Sequence, residues 1–228
     1  MTAVKTNIKS QLVELTQEAF DGFCEDISEM LDVTMKCARR EPVSETVKGL
    51  EKNFKKLTAV YTIKAEGELS GDFGLIFGQE GLFMLAGIIV SQPEQKILEA
   101  RKHGSKKDAE ETEDAIRETG NLLVSSWDKV FREQLQTHSH FEQNSTFIGK
   151  LKDDTQKAIG LWENEEFTFI PYEMTIEKYP PFNCGVIFPH TIFAGEGQTD
   201  EETSEKGTQQ QAKEEQEPEE KQEPQEKA

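Results

Sequence analysis

The sequence predicts an α/β domain of the α+β kind: an antiparallel-rich sheet with long helices packed on it. Two observations carry this. Two long stretches, about 8–35 and 110–136, repeat apolar residues at spacings of three and four, the period of an amphipathic helix. Between and after them lie short runs rich in β-branched and aromatic residues, at 57–78, 145–151, 166–178 and 184–189.

In the first stretch Ile8, Leu12, Leu15, Ala19, Phe23, Ile27 and Met30 fall on one stripe of a helix. Pro42 and its polar surroundings end that region. Two strands follow, 57–66 and 69–77, joined by a tight turn at Gly67 and the Ser70–Gly71 pair. QEGLFMLAGIIV then reads as a short apolar helix over 79–90, stopped before Pro93, with a second short helix at 94–101. Residues 102–111 are charged and read as a loop, before the long helix at 110–136. A strand is expected at 145–151. Residues 166–178 alternate apolar and polar, but Pro171 disturbs the phase and predicts an edge position, a bulge or two strand pieces. CGVIFP, 184–189, is the last strand.

From Glu196 the composition changes. That segment holds 12 acidic residues against 4 lysines, no aromatic residue and no aliphatic one larger than alanine. Too little apolar surface is available there to offset the entropy of ordering, so 196–228 is expected to be a disordered tail on a domain spanning 1–195.

The whole chain carries a formal net charge of -18, with a pI near 4.7. Such a charge favours solubility and repels nucleic acid and anionic lipid, so neither is an expected partner. No apolar run reaches the roughly 18 residues of a membrane span, and the first residues carry no secretory signal. Cys24, Cys37 and Cys184 are widely spaced and form no C-x-x-C pair, which argues against a disulfide framework or a zinc site and fits a reduced, cytoplasmic protein. Gly71, Gly74, Gly78 and Gly81 do not form a phosphate-binding loop and read as strand glycines in close packing. His138 and His140 lack a neighbouring cysteine or third histidine and read as exposed loop residues, so no metal site is expected. Trp127 and Trp162 read as packing residues.

The helix at 110–136 raises the functional question. At 100° per residue, Ile116, Thr119, Gly120, Leu123, Trp127, Val130 and Phe131 share one face. Asp114, Glu118, Asn121 and Ser125 lie on the opposite face as one continuous polar ridge, three and four residues apart. A solvated surface would account for the carboxylates. Asparagine is a mediocre residue in mid-helix, where lysine, glutamate or glutamine would serve a surface better.

The order of elements and the pair Glu118-x-x-Asn121 on the long middle helix resemble the CheC and CheX family of bacterial chemotaxis phosphatases. That family's signature is Asp or Ser, three residues, Glu, two residues, Asn, and here Asp114, Glu118 and Asn121 match it. The segment GELSGDFGLIFGQEGLFMLAGIIV, 67–90, is similar to the family's segment before that helix. The resemblance covers roughly 8–190 in element order and is specific residue by residue at 67–90 and 114–131.

It implies an enzyme that hydrolyses the aspartyl phosphate of a CheY-like response-regulator receiver domain, ending a chemotaxis or related two-component signal. Asn121 would orient the attacking water and Glu118 would pair with the receiver's lysine; both are the candidate catalytic residues. Asp114 and Ser125 would support partner binding. The protein would need no cofactor of its own, the Mg2+ belonging to the receiver. CheC-type members carry two such motifs. The first helix offers only Glu18-x-x-Asp21 and Glu14-x-x-Gln17, so the single-site CheX type, commonly homodimeric, is the expectation. A non-catalytic adaptor of the same fold is the alternative.

Overall fold

The computed structural model describes residues 2–193 except 68, 136 and 137. The expected tail lies outside them. Helix α1 (Thr2–Leu31) leads into strands β1 (Met35–Arg39) and β2 (Val43–Thr46) and helix α2 (Val47–Asn53). The hairpin β3 (Thr58–Glu66) and β4 (Gly71–Gly78) follows, then helices α3 (Gln79–Ile89), α4 (Glu94–His103), α5 (Lys106–Glu111) and α6 (Glu113–Gln134). Strand β5 (His140–Gly149), helix α7 (Thr155–Ile159) and strands β6 (Glu166–Ile176) and β7 (Phe182–Pro189) complete the series. The seven strands form one sheet in the order β1-β6-β7-β4-β3-β5, with β2 beside β6, and every pairing is antiparallel. The fold class is therefore the one the sequence predicts. No described helix is long and apolar enough to cross a membrane.

Both faces of the sheet are covered, unequally. Ala59, Tyr61, Ile63, Leu75, Phe77, Val186 and Phe188 point to the face carrying α1, α3 and α6, where they join Phe20, Phe23, Leu123, Trp127 and Phe131. The intervening Val60, Ile76 and Ile187 point to a smaller second layer of Val47, Leu50, Phe54, Leu151, Ala158 and Leu161. This two-sided burial explains why the strands read as nearly continuous apolar runs.

It also corrects the reading of Pro171. Strand β6 is neither broken nor at an edge: it pairs with β7 from Phe167 to Met174 without a shift and with β1 and β2 on its other side. Even-numbered Ile170, Tyr172, Met174 and Ile176 face the long helices, and odd-numbered Phe167 and Phe169 face the second layer. Only the first half of the strand is covered on both faces, so the apolar residues change parity while the pleat does not. Pro171 sits opposite the gap between the end of β1 at Arg39 and the start of β2 at Val43, and its carbonyl accepts from Arg40 N at 2.9 Å.

Several expectations change. Helix α1 ends at Leu31, and Met35 begins β1 rather than ending the helix. Met30 is 51% exposed, while its neighbour Leu31 packs against the core in its place. The supposed loop at 102–111 is mostly helical: Ser105 and Asp108 form a reciprocal capping box that starts α5. Strand β5 begins at His140, not 145; as an edge strand its outward residues are polar and break the apolar pattern. Trp162 is 67% exposed and packs in no core. His138 is buried rather than a surface loop residue, and its Nε2 lies 2.9 Å from Asp128 Oδ1.

The two halves of the sheet repeat each other. At the centre, G-L-I-F of β4 (Gly74–Phe77) lies beside G-V-I-F of β7 (Gly185–Phe188), with Gly74 opposite Ile187 and Ile76 opposite Gly185. A local twofold passes between these strands and relates α1 to α6. Tyr61 on β3 donates to the Ile116 carbonyl of α6 at 2.8 Å. Tyr172 on β6 meets the Thr16 hydroxyl of α1, also at 2.8 Å. Where the long helices cross, Ser126 of α6 donates to Asp26 of α1 at 2.5 Å.

Candidate functional site

Helix α6 is placed by its inner face. Ile116, Leu123, Trp127 and Phe131 are buried, and the Trp127 ring stacks on Phe73 and Phe131 and meets Phe20 edge-on. Gly120 lies against the sheet: a Cβ there would stand 2.5 Å from Gln143 Oε1 and 2.6 Å from the Tyr61 ring. The absence of a side chain lets the middle of α6 approach β3 closely.

The C-terminal half is tied to β5 through Asp128. Its carboxylate accepts from the backbone N–H of Phe141 at 2.8 Å, contacts both His138 and His140, and pairs with Arg132. Burial opposes the charge on Asp128, but the hydrogen bonds from His138, Phe141 and His140, with the Arg132 guanidinium, outweigh it and hold the carboxyl below the ordinary aspartate range. Sequence reasoning missed this cluster. Asp128 looks like one more surface acid, and only the chain reversal after α6 brings His138 and Phe141 back to it.

With the inner face buried, the outer face is free. Asp114, Glu118, Asn121 and Ser125 are all exposed, as the helical wheel places them. The Asn121 carboxamide donates to Glu118 Oε2 at 3.2 Å, so the two central groups of the ridge orient each other. Neither Glu118 nor Asp114 has a cationic partner among the described residues; the nearby Arg117 is taken by Glu113 at 2.7 Å. A carboxamide can donate and accept at once, and one hydrogen bond to Glu118 leaves its carbonyl oxygen available.

The ridge is not part of the cleft at the N-terminal end of its helix. A cleft of about 880 Å3 lies beyond the N-terminal end of α6 and is lined by Glu113, but by none of the four ridge residues. A partner would therefore have to bring its own concave site to the ridge. Among the described residues, no group of three or more His, Cys, Asp or Glu is arranged to hold a metal ion.

The twofold sets Glu18 and Asp21 of α1 where Glu118 and Asn121 stand on α6. The environment there differs. Asp21 accepts from Gln17 at 3.0 Å and from the Cys37 thiol at 3.3 Å, so it is engaged by its own helix and by β1. A carboxylate stands where the carboxamide would be needed.

No protein-family model matches this sequence, and no curated protein does. Solved structures do match in fold. FliY of Thermotoga maritima superposes with a TM-score of 0.65 at 15% identity, over 82% of this chain and 91% of that one. The FliM middle domain of Vibrio alginolyticus gives 0.59 at 8% identity, over 79% and 94%. FliM in the FliM–SpeE complex of H. pylori gives 0.59 at 9%, over 81% and 91%. At these identities the likeness is one of fold.

Proposed function

We propose that this protein is a CheX-like phosphatase that removes the phosphoryl group from the aspartate of a response-regulator receiver domain. The observation that carries the proposal is the exposed pair Glu118–Asn121, oriented by the hydrogen bond from Asn121 to Glu118 and, among the described residues, without a core or ion-pair role. An exposed ridge suits a substrate that is itself a folded domain with a recessed phosphoryl group. The CheC and CheX resemblance of 67–90 and 114–131 supports the same reading.

In this reading α6 docks along the receiver's active-site rim. Glu118 pairs with the receiver's lysine, a charge-assisted contact that fixes the docking register. Asn121 enters the receiver's site and holds a water with its carboxamide. The water oxygen bonds to phosphorus as the bond to the aspartyl oxygen breaks in line; the aspartate leaves as a carboxylate and the water's proton departs with inorganic phosphate. Phosphoryl transfer needs little covalent help from a protein, so positioning one water supplies a large part of the acceleration. Charge on the phosphoryl oxygens is offset by the receiver's own Mg2+. Asp114 and Ser125 flank the pair and extend the contact surface by a turn each way.

The second reading is an adaptor that binds a receiver or signalling protein without hydrolysis. The FliM middle domains favour it, since they share the fold and one of them was solved as a complex with SpeE.

Loss of phosphate from a panel of phosphorylated receiver domains of the same genome, with the wild-type chain and with Asn121→Ala, separates the two. The phosphatase reading expects one receiver to lose phosphate faster with the wild type, and the variant to bind that receiver without accelerating the loss. Binding of a receiver with no acceleration by the wild type would leave the adaptor.

A further inference from the structure

The cleft beyond the N-terminal end of α6 is unusual for so acidic a chain. Lys55 after α2, Lys102 in α4, Lys106 in α5, Lys150 after β5 and Lys157 in α7 all line it. They are exposed, and none is in an ion pair among the described residues. A sixth lysine of the wall, Lys56, is paired with Glu80 at 2.9 Å.

Two of the four lining acids are engaged elsewhere. Glu113 pairs with Arg117, and Asp154 caps α7 by accepting from the Lys157 backbone at 3.1 Å. Glu110, Asp153 and Asp154 keep their negative charge, but the five lysines unpaired among the described residues outnumber these three, so positive charge prevails in the cleft of a protein whose net charge is -18. Bringing like charges together from separate elements costs repulsion, and nothing in the packing repays it, since each ammonium is at the surface. A recessed site of one sign focuses field and attracts the opposite charge.

The floor has a different character. Leu57 is buried and Ile148 half-buried on the long-helix side of the end of β5, and half-buried Phe147, folded over Gly149, adds apolar surface on the other face of the same strand. Thr146, Ser105 and Gln79 also line the cleft, each already held within the protein: Thr146 accepts from Gln143, Ser105 is in the capping box with Asp108, and Gln79 donates to the Arg101 carbonyl. An apolar floor with a rim of ammonium groups is complementary to a molecule with a flat ring at one end and phosphates at the other. The volume, about 880 Å3, falls within the roughly 300–1,000 Å3 of small-molecule sites.

We propose that this cleft, bounded by α4, α5, α7 and the ends of β3 and β5, binds a phosphorylated ring-bearing small molecule of nucleotide size. The sequence has no phosphate-binding glycine loop, and none is required: here the phosphates are held by side-chain ammonium groups rather than by a backbone cradle. The site is separate from the ridge and does not depend on the phosphatase reading.

The test is calorimetric titration of the full chain with ATP, with tripolyphosphate and with adenosine. It is repeated on Lys106→Glu/Lys150→Glu and on the control Lys36→Glu/Lys129→Glu, which carries the same change in net charge outside the cleft. Thermal melting confirms that each variant is folded. The proposal expects saturable binding of ATP, weaker binding of tripolyphosphate and of adenosine alone, and an affinity for ATP at least about tenfold lower in the cleft variant than in the control. No binding of ATP would overturn it. Equal losses in the two variants would overturn it too, by reducing the effect to overall charge. Equal affinity for ATP and tripolyphosphate would overturn the role of the apolar floor.

Discussion

Gly120 rests against the Tyr61 ring so closely that a Cβ there would stand 2.6 Å from Cδ1. The same ring sends its hydroxyl to the Ile116 carbonyl one turn earlier, at 2.8 Å. One tyrosine thus sets both the height and the axial position of α6 above the sheet, and with them the position of the exposed ridge.

Gly120→Ala should therefore cost stability even though alanine is the better helix former. Overpacking of a closed site costs about 1–3 kcal/mol, against a propensity gain of about 1 kcal/mol. Chemical denaturation would read a lower midpoint with an unchanged slope. A midpoint at or above the wild-type value would mean that α6 can lift without penalty.

Within the phosphatase reading, Glu118 and Asn121 should fail differently. Glu118→Gln removes a charged contact to the partner and should weaken receiver binding about tenfold, with a smaller loss of turnover at saturation. Asn121→Ala should reduce turnover roughly 100-fold or more with little change in binding. Steady-state kinetics against receiver concentration separates the two effects. Equal losses in both parameters for both variants would show that the ridge acts as one docking surface.

Asp128 should shape the acid limb of stability. Its carboxyl is held below the ordinary aspartate range in the folded chain. The unfolded chain therefore takes up this proton first as pH falls. The stabilisation is complete above the unfolded value and is lost as pH falls through the folded one. Asp128→Asn should cost roughly 1–3 kcal/mol near neutrality and flatten the loss of stability below about pH 4. Urea midpoints measured from pH 7 to pH 3 test this; parallel curves for the two proteins would remove Asp128 from the explanation.

The three thiols should differ in reactivity. Cys24 is buried beside Cys37, and the neighbouring Cys37 thiol, then burial, push its thiol well above the usual range. Burial does the same to Cys184. Thiolate is the reactive form, so both should be inert in the folded protein. Cys37 is half-exposed and should be modified first by an aromatic disulfide reagent, followed by the other two on unfolding. Rapid modification of Cys24 or Cys184 in the native state would show that α1 opens from the sheet.

Much of this was legible from local pattern. Residues 12 to 27 of α1 and the inner face of α6 follow the helical period because one side meets a sheet and the other meets water. Glu118, Asn121, Asp114 and Ser125 were placed by the same period, and they are exposed as it requires. The G-L-I-F and G-V-I-F segments became a pair only when the sheet set them side by side. Where neighbours from elsewhere decide burial, pattern failed. Trp162 is large and apolar, yet among the described residues it stays 67% exposed. His138 is polar, yet it is buried because Asp128 receives it.

The sequence by itself determined where the two long helices and the central hairpin form, and which of their residues share a face, because those depend on spacing along one chain. It did not disclose β1, β2, α2, α5 or α7, which are short and take their place from their neighbours. Only the tertiary structure decided that Pro171 lies within a continuous, centrally paired strand. Only it sets Asp21 and Asn121 at matching places with different partners and gathers five lysines from distant elements into one cleft. Those outcomes depend on which surfaces meet in space, and periodicity along the chain carries no information about the residues across the gap.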